Sequence, residues 1–91
     1  MLPDIVEVES YLHEYIPLSK NMEVSVKQVD ENGITLKAPL IPNINHRSTV
    51  FGGSVSALAI LAGWTLVHVN LQGLSLSSRI VIQRNSIEYL Q

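Results

Sequence analysis

Apolar residues recur at helical spacing between Pro3 and Tyr15: Ile5, Val8, Leu12, Tyr15 and the following Ile16 share one side, while Glu7, Glu9, Ser10 and Glu14 fall elsewhere. This pattern predicts a short amphipathic helix. Asp4 stands in its first turn, where a negative charge meets the positive end of the helix dipole. Pro17 is expected to end it, because proline disfavours helix at the residue before it. The period then changes to two. Met22, Val24 and Val26 alternate with Glu23, Ser25 and Lys27, and Ile34, Leu36 and Ala38 alternate with Thr35 and Lys37, so two half-buried strands are predicted. Between them, Asp30-Glu31-Asn32-Gly33 supplies the Asn-Gly pair that favours a tight hairpin. Pro39 and Pro42 take the chain out of the sheet into a polar loop that ends at Val50.

From Ser54 to Leu71 the pattern is apolar nearly all round, with Val55, Leu58, Ile60, Leu61, Trp64, Leu66 and Val67 spread over every face. Such a helix is either buried within a protein or crosses a membrane. Ser56, Thr65, His68 and Asn70 interrupt the run, and ordinary half-buried strands flank it, which favours a buried core helix and no membrane. Gly73 is placed to cap its C-terminus. The segment from Arg79 to Leu90 predicts a long strand, with Ile80 and Ile82 on one parity and Ile87 and Tyr89 on the other. The change of parity predicts a bulge near Arg84.

At 91 residues the chain is one domain, residues 1–91. A chain this short buries only about 60 to 65 % of its unfolded surface, so a partner copy or further chain is expected to complete it. Six Lys and Arg oppose eight Asp and Glu, with no basic block or aromatic-basic stripe, which argues against nucleic acid. The absence of cysteine excludes disulfides, thiolate nucleophiles and Cys-based metal sites. Three scattered His without a paired spacing predict no metal site. The start carries acids rather than a basic n-region and apolar core, so no secretory signal is read and a cytoplasmic location is expected.

Chemistry is expected where the polar loop meets Phe51-Gly52-Gly53-Ser54. Without side chains, Gly52 and Gly53 let a ligand carbonyl approach the backbone, and the opening turn of a helix presents unpaired N–H groups with partial positive charge. That arrangement stabilises an oxyanion; the alternative is a tight turn packed on the sheet. Asn45 can donate to a carbonyl or carboxylate while accepting from backbone, or it can simply brace the loop, as Asn43 can. Thr49 is a lesser candidate, and His46 is the nearby titratable group, readable either as a base or as an exposed loop residue. His13 and His68 lie on predicted helices and read as packing or surface residues. Gly53-Ser54-Val55-Ser56-Ala57 lacks the closing glycine of a nucleophile elbow.

The order helix, hairpin, Asn-containing loop, Gly-Gly, long apolar helix, long strand resembles the first two-thirds of a hot-dog fold, an α+β architecture in which an antiparallel sheet wraps a central helix. Asn45 stands six residues before Phe51-Gly52-Gly53, as an Asn precedes His-Gly-Gly in acyl-coenzyme A thioesterases of the phenylacetate-pathway type. More specifically, Asn43-x-Asn45-x-x-x-Thr49-x-Phe51-Gly52-Gly53-Ser54, followed by Leu58-Ala59-Ile60-Leu61-Ala62-Gly63-Trp64, resembles the YiiD C-terminal thioesterase domain. That domain continues through further strands, so the resemblance implies that this chain lacks its C-terminal strands. It also implies a homodimer, no resident cofactor, and a substrate carried on the phosphopantetheine of acyl carrier protein or coenzyme A. The implied catalytic residues are Asn45, Gly53 and Thr49, and the implied substrate-binding residues are Asn43, His46, Phe51, Gly52 and Ser54.

Two positions depart from the thioesterases. Phe51 stands where they place His, and Ile60 where they place the Asp or Glu that activates water or attacks. The YiiD C-terminal family has been linked to decarboxylation of malonyl-acyl carrier protein to the acetyl form, an initiation of fatty acid synthesis, as well as to thioester hydrolysis. Decarboxylation needs no water-activating base, and a carboxylate in the pocket would repel the malonyl group. The missing acid therefore favours decarboxylation. The alternatives are a thioesterase using His46 or a water held by Asn45 and Thr49, and a non-catalytic acyl-binding module.

Overall fold

The computed structural model describes residues 4–30, 32–74, 80–82, 84–86 and 88. Helix α1 (Ile5–Tyr15) starts where the sequence places it, with Asp4 as its N-cap: the carboxylate accepts the Val6 N–H at 2.9 Å, satisfying one of the donors that a helix start leaves unpaired. Its buried residues are Val8 and Leu12, on the predicted face. Pro17 ends α1 but opens a second short helix, α2 (Pro17–Asn21), which the spacing did not predict. Proline at the first helical position has no N–H to lose and its φ is already helical. Buried Ser19 secures the corner by donating its hydroxyl to the Ile16 carbonyl at 2.8 Å.

After α2 the chain reverses at Glu23, which takes a left-handed φ of 58°. Strand β1 (Ser25–Val29) therefore begins three residues later than the alternation suggests, although Met22, Val24 and Val26 are all buried as expected. It pairs antiparallel with β2 (Ile34–Lys37). The register slips between Val26 and Gln28, where Lys27 is an extra residue, and this bulge lets Val29 rejoin Val26 on the buried side. The expected hairpin is present. Asp30 holds its turn by accepting the N–H groups of Asn32 and Gly33 at 2.8 and 3.0 Å, and Gly33 needs no positive φ. On the outer edge of β1, the Val26 N–H donates to Glu9 of α1 at 2.8 Å, which ties the first helix to the sheet.

The long helix α3 (Gly52–Gly73) packs on β2. Leu61, Thr65 and Val69, four residues apart, form its one fully buried stripe. Leu61 and Val69 join Val8, Leu12, Met22, Val24, Val26 and Val29 in one core cluster among the described residues. By length and composition α3 is also apolar enough to cross a membrane. Its inner polar groups are bonded to its own backbone: Thr65 Oγ1 donates to the Leu61 carbonyl at 2.7 Å and Asn70 Nδ2 to the Leu66 carbonyl at 2.9 Å. Gly73 is the last helical residue rather than a left-handed cap, and Leu74 closes the helix by donating its N–H to the Asn70 and Leu71 carbonyls, each at 3.2 Å.

The strand expected over 79–90 is not formed among its described residues, 80–82, 84–86 and 88, none of which lies in a ladder. No ladder at Arg84 carries the bulge expected there, while Ile87 and Tyr89, the second parity, lie outside the described residues. Ile80 docks instead on α3, its carbonyl accepting the Trp64 indole N–H at 3.2 Å. The architecture among the described residues is thus a helix pair and a hairpin packed on one long helix, part of the helix-and-sheet arrangement of a hot-dog fold.

Candidate active site at the start of the long helix

A 3-10 turn (Ile41–Asn43) leads from β2 into the polar loop, which is pinched shut by an antiparallel bridge between Ile44 and Val50. Within it the Asn45 N–H donates to the Thr49 carbonyl at 2.8 Å and the Ser48 N–H to the Asn45 carbonyl at 3.1 Å. Ser48 accommodates the reversal with a φ of 61°. The Asn45 side chain completes the loop. Its Oδ1 accepts the Arg47 N–H at 2.8 Å, the Thr49 hydroxyl at 3.1 Å and the Thr49 N–H at 3.3 Å. The carbonyl end is therefore saturated. Its Nδ2 donates to the Val50 carbonyl at 3.4 Å, and its second N–H has no partner among the described residues. Asn45 is thus both brace and donor, and Thr49 is held beside it by the same bonds.

Asn43 sits deeper, only 4 % exposed. Its Nδ2 donates to the Met22 carbonyl at 3.0 Å and to the Pro39 carbonyl at 2.8 Å, stapling the loop to the end of α2 and the exit of β2. Its own backbone carbonyl accepts the Phe51 N–H at 2.7 Å, which fixes the loop against the start of α3. Phe51 is the N-cap residue of α3 and has no side chain to cap with; its carbonyl takes the Ser54 and Val55 N–H groups at 3.0 and 3.2 Å. The Gly53 N–H has no partner among the described residues, as expected for the first turn of a helix. The half-exposed Phe51 ring lies over Gly53, and a Cβ there would overlap it.

The loop, the exit of β2 and the helix start border a half-open pocket of about 170 Å³, lined by Met22, Pro39, Asn43, Val50, Ser54 and Leu58 among others. Asn43 and Ser54 are its polar side chains, and among the described residues no carboxylate lines it. Across Met22 lies a second, apolar cavity of about 280 Å³ against α2, bordered by Ile16, Leu18, Ala57, Ile60 and Trp64. Ile60 therefore faces an apolar space rather than the loop. His46 is exposed on the loop, with no side-chain partner to orient it among the described residues. Of the expected site residues, Asn43 and Ser54 share the pocket lining, Asn45 and Thr49 are joined in the loop, and Phe51 lies over Gly53 at the helix start.

A feature that the spacing left unread is the stack of Tyr11, Trp64 and His68. The His68 ring lies 4.4 Å from Tyr11 and 5.0 Å from Trp64. Burial there holds its pKa below the ordinary 6.5. The signal was the four-residue spacing of Trp64 and His68 on one helix face. His13 is likewise engaged, its Nε2 lying 2.7 Å from the Val24 carbonyl. Among the described residues no group of three potential metal ligands converges.

Over residues 5–91 the sequence matches the family described as "Putative thioesterase (yiiD_Cterm)". The chain belongs to this YiiD C-terminal family. The crystal structure of a "putative thioesterase" from Shewanella oneidensis superposes with a TM-score of 0.88 at 31 % identity, over 96 % of this chain and 64 % of that one. A protein of unknown function from Chlorobaculum tepidum gives a TM-score of 0.74 at 31 % identity, over 78 % of this chain and 44 % of that one. The chain thus spans less than two-thirds of the length of either structure.

Proposed function

We propose that this YiiD C-terminal domain acts on an acyl thioester and decarboxylates malonyl-acyl carrier protein to the acetyl form. In that reaction the bond between the malonyl methylene carbon and its carboxylate breaks and carbon dioxide leaves. The electron pair passes into an enolate whose charge sits on the thioester oxygen, and a proton added to the carbon gives the acetyl thioester. The transition state needs donors at that oxygen and no water-activating base.

The observation that carries this reading is the neutral character of the site. Asn45 offers an N–H after its carbonyl oxygen is saturated, Gly53 offers a backbone N–H at the positive end of α3, and among the described residues no carboxylate lines the pocket beside the helix start. Asn45 orients the acyl or carboxylate end, with Thr49 holding Asn45 in place. Gly53 meets the enolate oxygen. The substrate arm belongs to acyl carrier protein or coenzyme A, and no resident cofactor is required. A homodimer supplies the cover for the apolar side chains exposed around the loop, Ile41, Ile44, Val50 and Phe51.

The deciding experiment incubates purified full-length protein with malonyl-acyl carrier protein and follows the products. Release of carbon dioxide with retention of an acetyl thioester is the expected result. Accumulation of free thiol would replace decarboxylation with hydrolysis, and no turnover of any acyl thioester would leave only an acyl-binding module.

A further inference from the structure

Two of the chain's three lysines, Lys20 and Lys37, are separated in sequence by all of β1, yet the fold brings both to one groove. Lys20 lies in the last turn of α2. The left-handed φ of 58° at Glu23 then reverses the chain, and the Val24 N–H closes the corner on the Ser19 carbonyl at 2.9 Å. Strand β1 consequently starts beside the end of α2, and its first residue, Ser25, pairs with Lys37, the last residue of β2. The open groove that results, about 680 Å³, is bordered by His13, Lys20, Glu23, Ser25, Lys37 and Pro39 among others. Both lysines are exposed, and neither makes an ion pair among the described residues. Even with Glu23 in the lining, the groove keeps a net positive charge, on a chain whose overall charge is -2. Ala38 and Pro39 border both this groove and the pocket at the start of α3, and Asn43 holds the Pro39 carbonyl at 2.8 Å. The two spaces therefore share a wall.

We propose that this groove is the docking surface for a protein partner with an acidic face, whose carboxylates pair with Lys20 and Lys37. The inference rests on the reading above for who that partner is, the carrier protein that delivers the acyl thioester. An open, weakly positive surface suits carboxylates spread over a protein. It suits the clustered phosphates of coenzyme A poorly, because Glu23 repels them at short range. Lysine fits transient docking, since its ammonium is a hydrated point charge on a flexible stem that attracts without demanding one geometry. Charges placed this way act mainly on the rate of encounter and on the choice of partner. Lys20 and Lys37 touch no reacting atom; they select a carrier protein over a free cofactor thioester.

The test titrates the full-length protein with holo-acyl carrier protein and, in parallel, follows turnover of malonyl-pantetheine, which carries no protein. The double variant Lys20→Glu, Lys37→Glu is expected to bind the carrier roughly 10-fold more weakly at about 50 mM salt, with the difference vanishing near about 1 M, where the screening length falls to about 3 Å. Glu23→Gln is expected to tighten binding by about two-fold, a change of opposite sign that damage to the fold would not produce. Unchanged carrier affinity in the double variant would overturn the proposal. So would a loss that persists at high salt, a matching loss of kcat/KM on malonyl-pantetheine, or failure of the wild-type protein to bind the carrier. Salt-sensitive loss of carrier binding without decarboxylation of any malonyl thioester would uphold the docking surface while rejecting the proposed function. Decarboxylation of malonyl-pantetheine together with carrier binding indifferent to the charge reversal would do the reverse.

Discussion

Asn45→Asp separates the two tasks that Asn45 performs. A carboxylate in the same place still accepts the three bonds now made by Arg47 N–H, Thr49 N–H and the Thr49 hydroxyl, so the loop keeps its brace. What it loses is the donor. An oxygen replaces Nδ2 opposite the Val50 carbonyl, where the present contact is long, 3.4 Å, and exposed. The structural cost is therefore small, within about 1 kcal/mol. For Asn45→Ala the three accepted bonds go as well; at about 0.5 kcal/mol each, the low end for exposed bonds, that is roughly 1–2 kcal/mol. Activity should follow the other order of causes. Removing one donor from an oxyanion-type site costs on the order of 10²–10³ in kcat, and the aspartate adds a negative charge beside a developing enolate. Asn45→Asp should thus be nearly as stable as wild type in urea titrations, yet lose at least as much malonyl decarboxylation as the alanine variant. An aspartate variant within a few-fold of wild-type rate would refute a donor role for Asn45, and one that unfolded would refute the reading of Oδ1 as the brace.

Asn43→Ala removes a buried and a part-buried bond and strands the Met22 carbonyl, so it should lower unfolding stability by about 2–4 kcal/mol; a loss below about 1 kcal/mol by urea titration would show that the staple carries no weight. Gly53→Ala should leave stability within about 1 kcal/mol, since no positive φ is required there and alanine favours helix. The added methyl should expel the Phe51 ring, whose unique aromatic NMR signals, this being the single Phe, would stay put if the contact were unimportant. His68 is held below its ordinary pKa of 6.5 by burial, so the unfolded chain takes up the proton first. Stability from this group is full above about pH 6.5 and falls as pH drops from there toward the lower folded pKa. His68→Phe should reduce the loss of Tm between about pH 8 and about pH 5.5, and an unchanged loss would assign it to other groups.

What the sequence made legible was local. The face of α1, the inward residues Val24, Val26, Ile34 and Leu36, and the existence of the hairpin all follow from spacing between neighbours. Helix α2 was missed because proline in first position and proline as terminator are the same residue seen from opposite sides. The bulge was legible too, had the interval of three between Val26 and Val29 been taken as two outward residues, Lys27 and Gln28, in succession. The grip of Glu9 on Val26 was not, since it depends on how α1 crosses the hairpin.

The two asparagines show why a site is harder to read than a fold. In sequence Asn43 and Asn45 are interchangeable amides two residues apart, each able to brace or to bind. The 3-10 turn at Ile41–Asn43 rotates the first into the interior while the Ile44–Val50 bridge holds the second at the rim. Buried Asn43 commits its nitrogen and leaves its oxygen without a partner, whereas half-buried Asn45 commits its oxygen and leaves an N–H. Neither group carries charge, and Phe51 and Ile60 add none where a hydrolase would place His and acid. The polarity of this site is thus set by the orientation of two amides, a property the backbone confers and residue type alone does not encode.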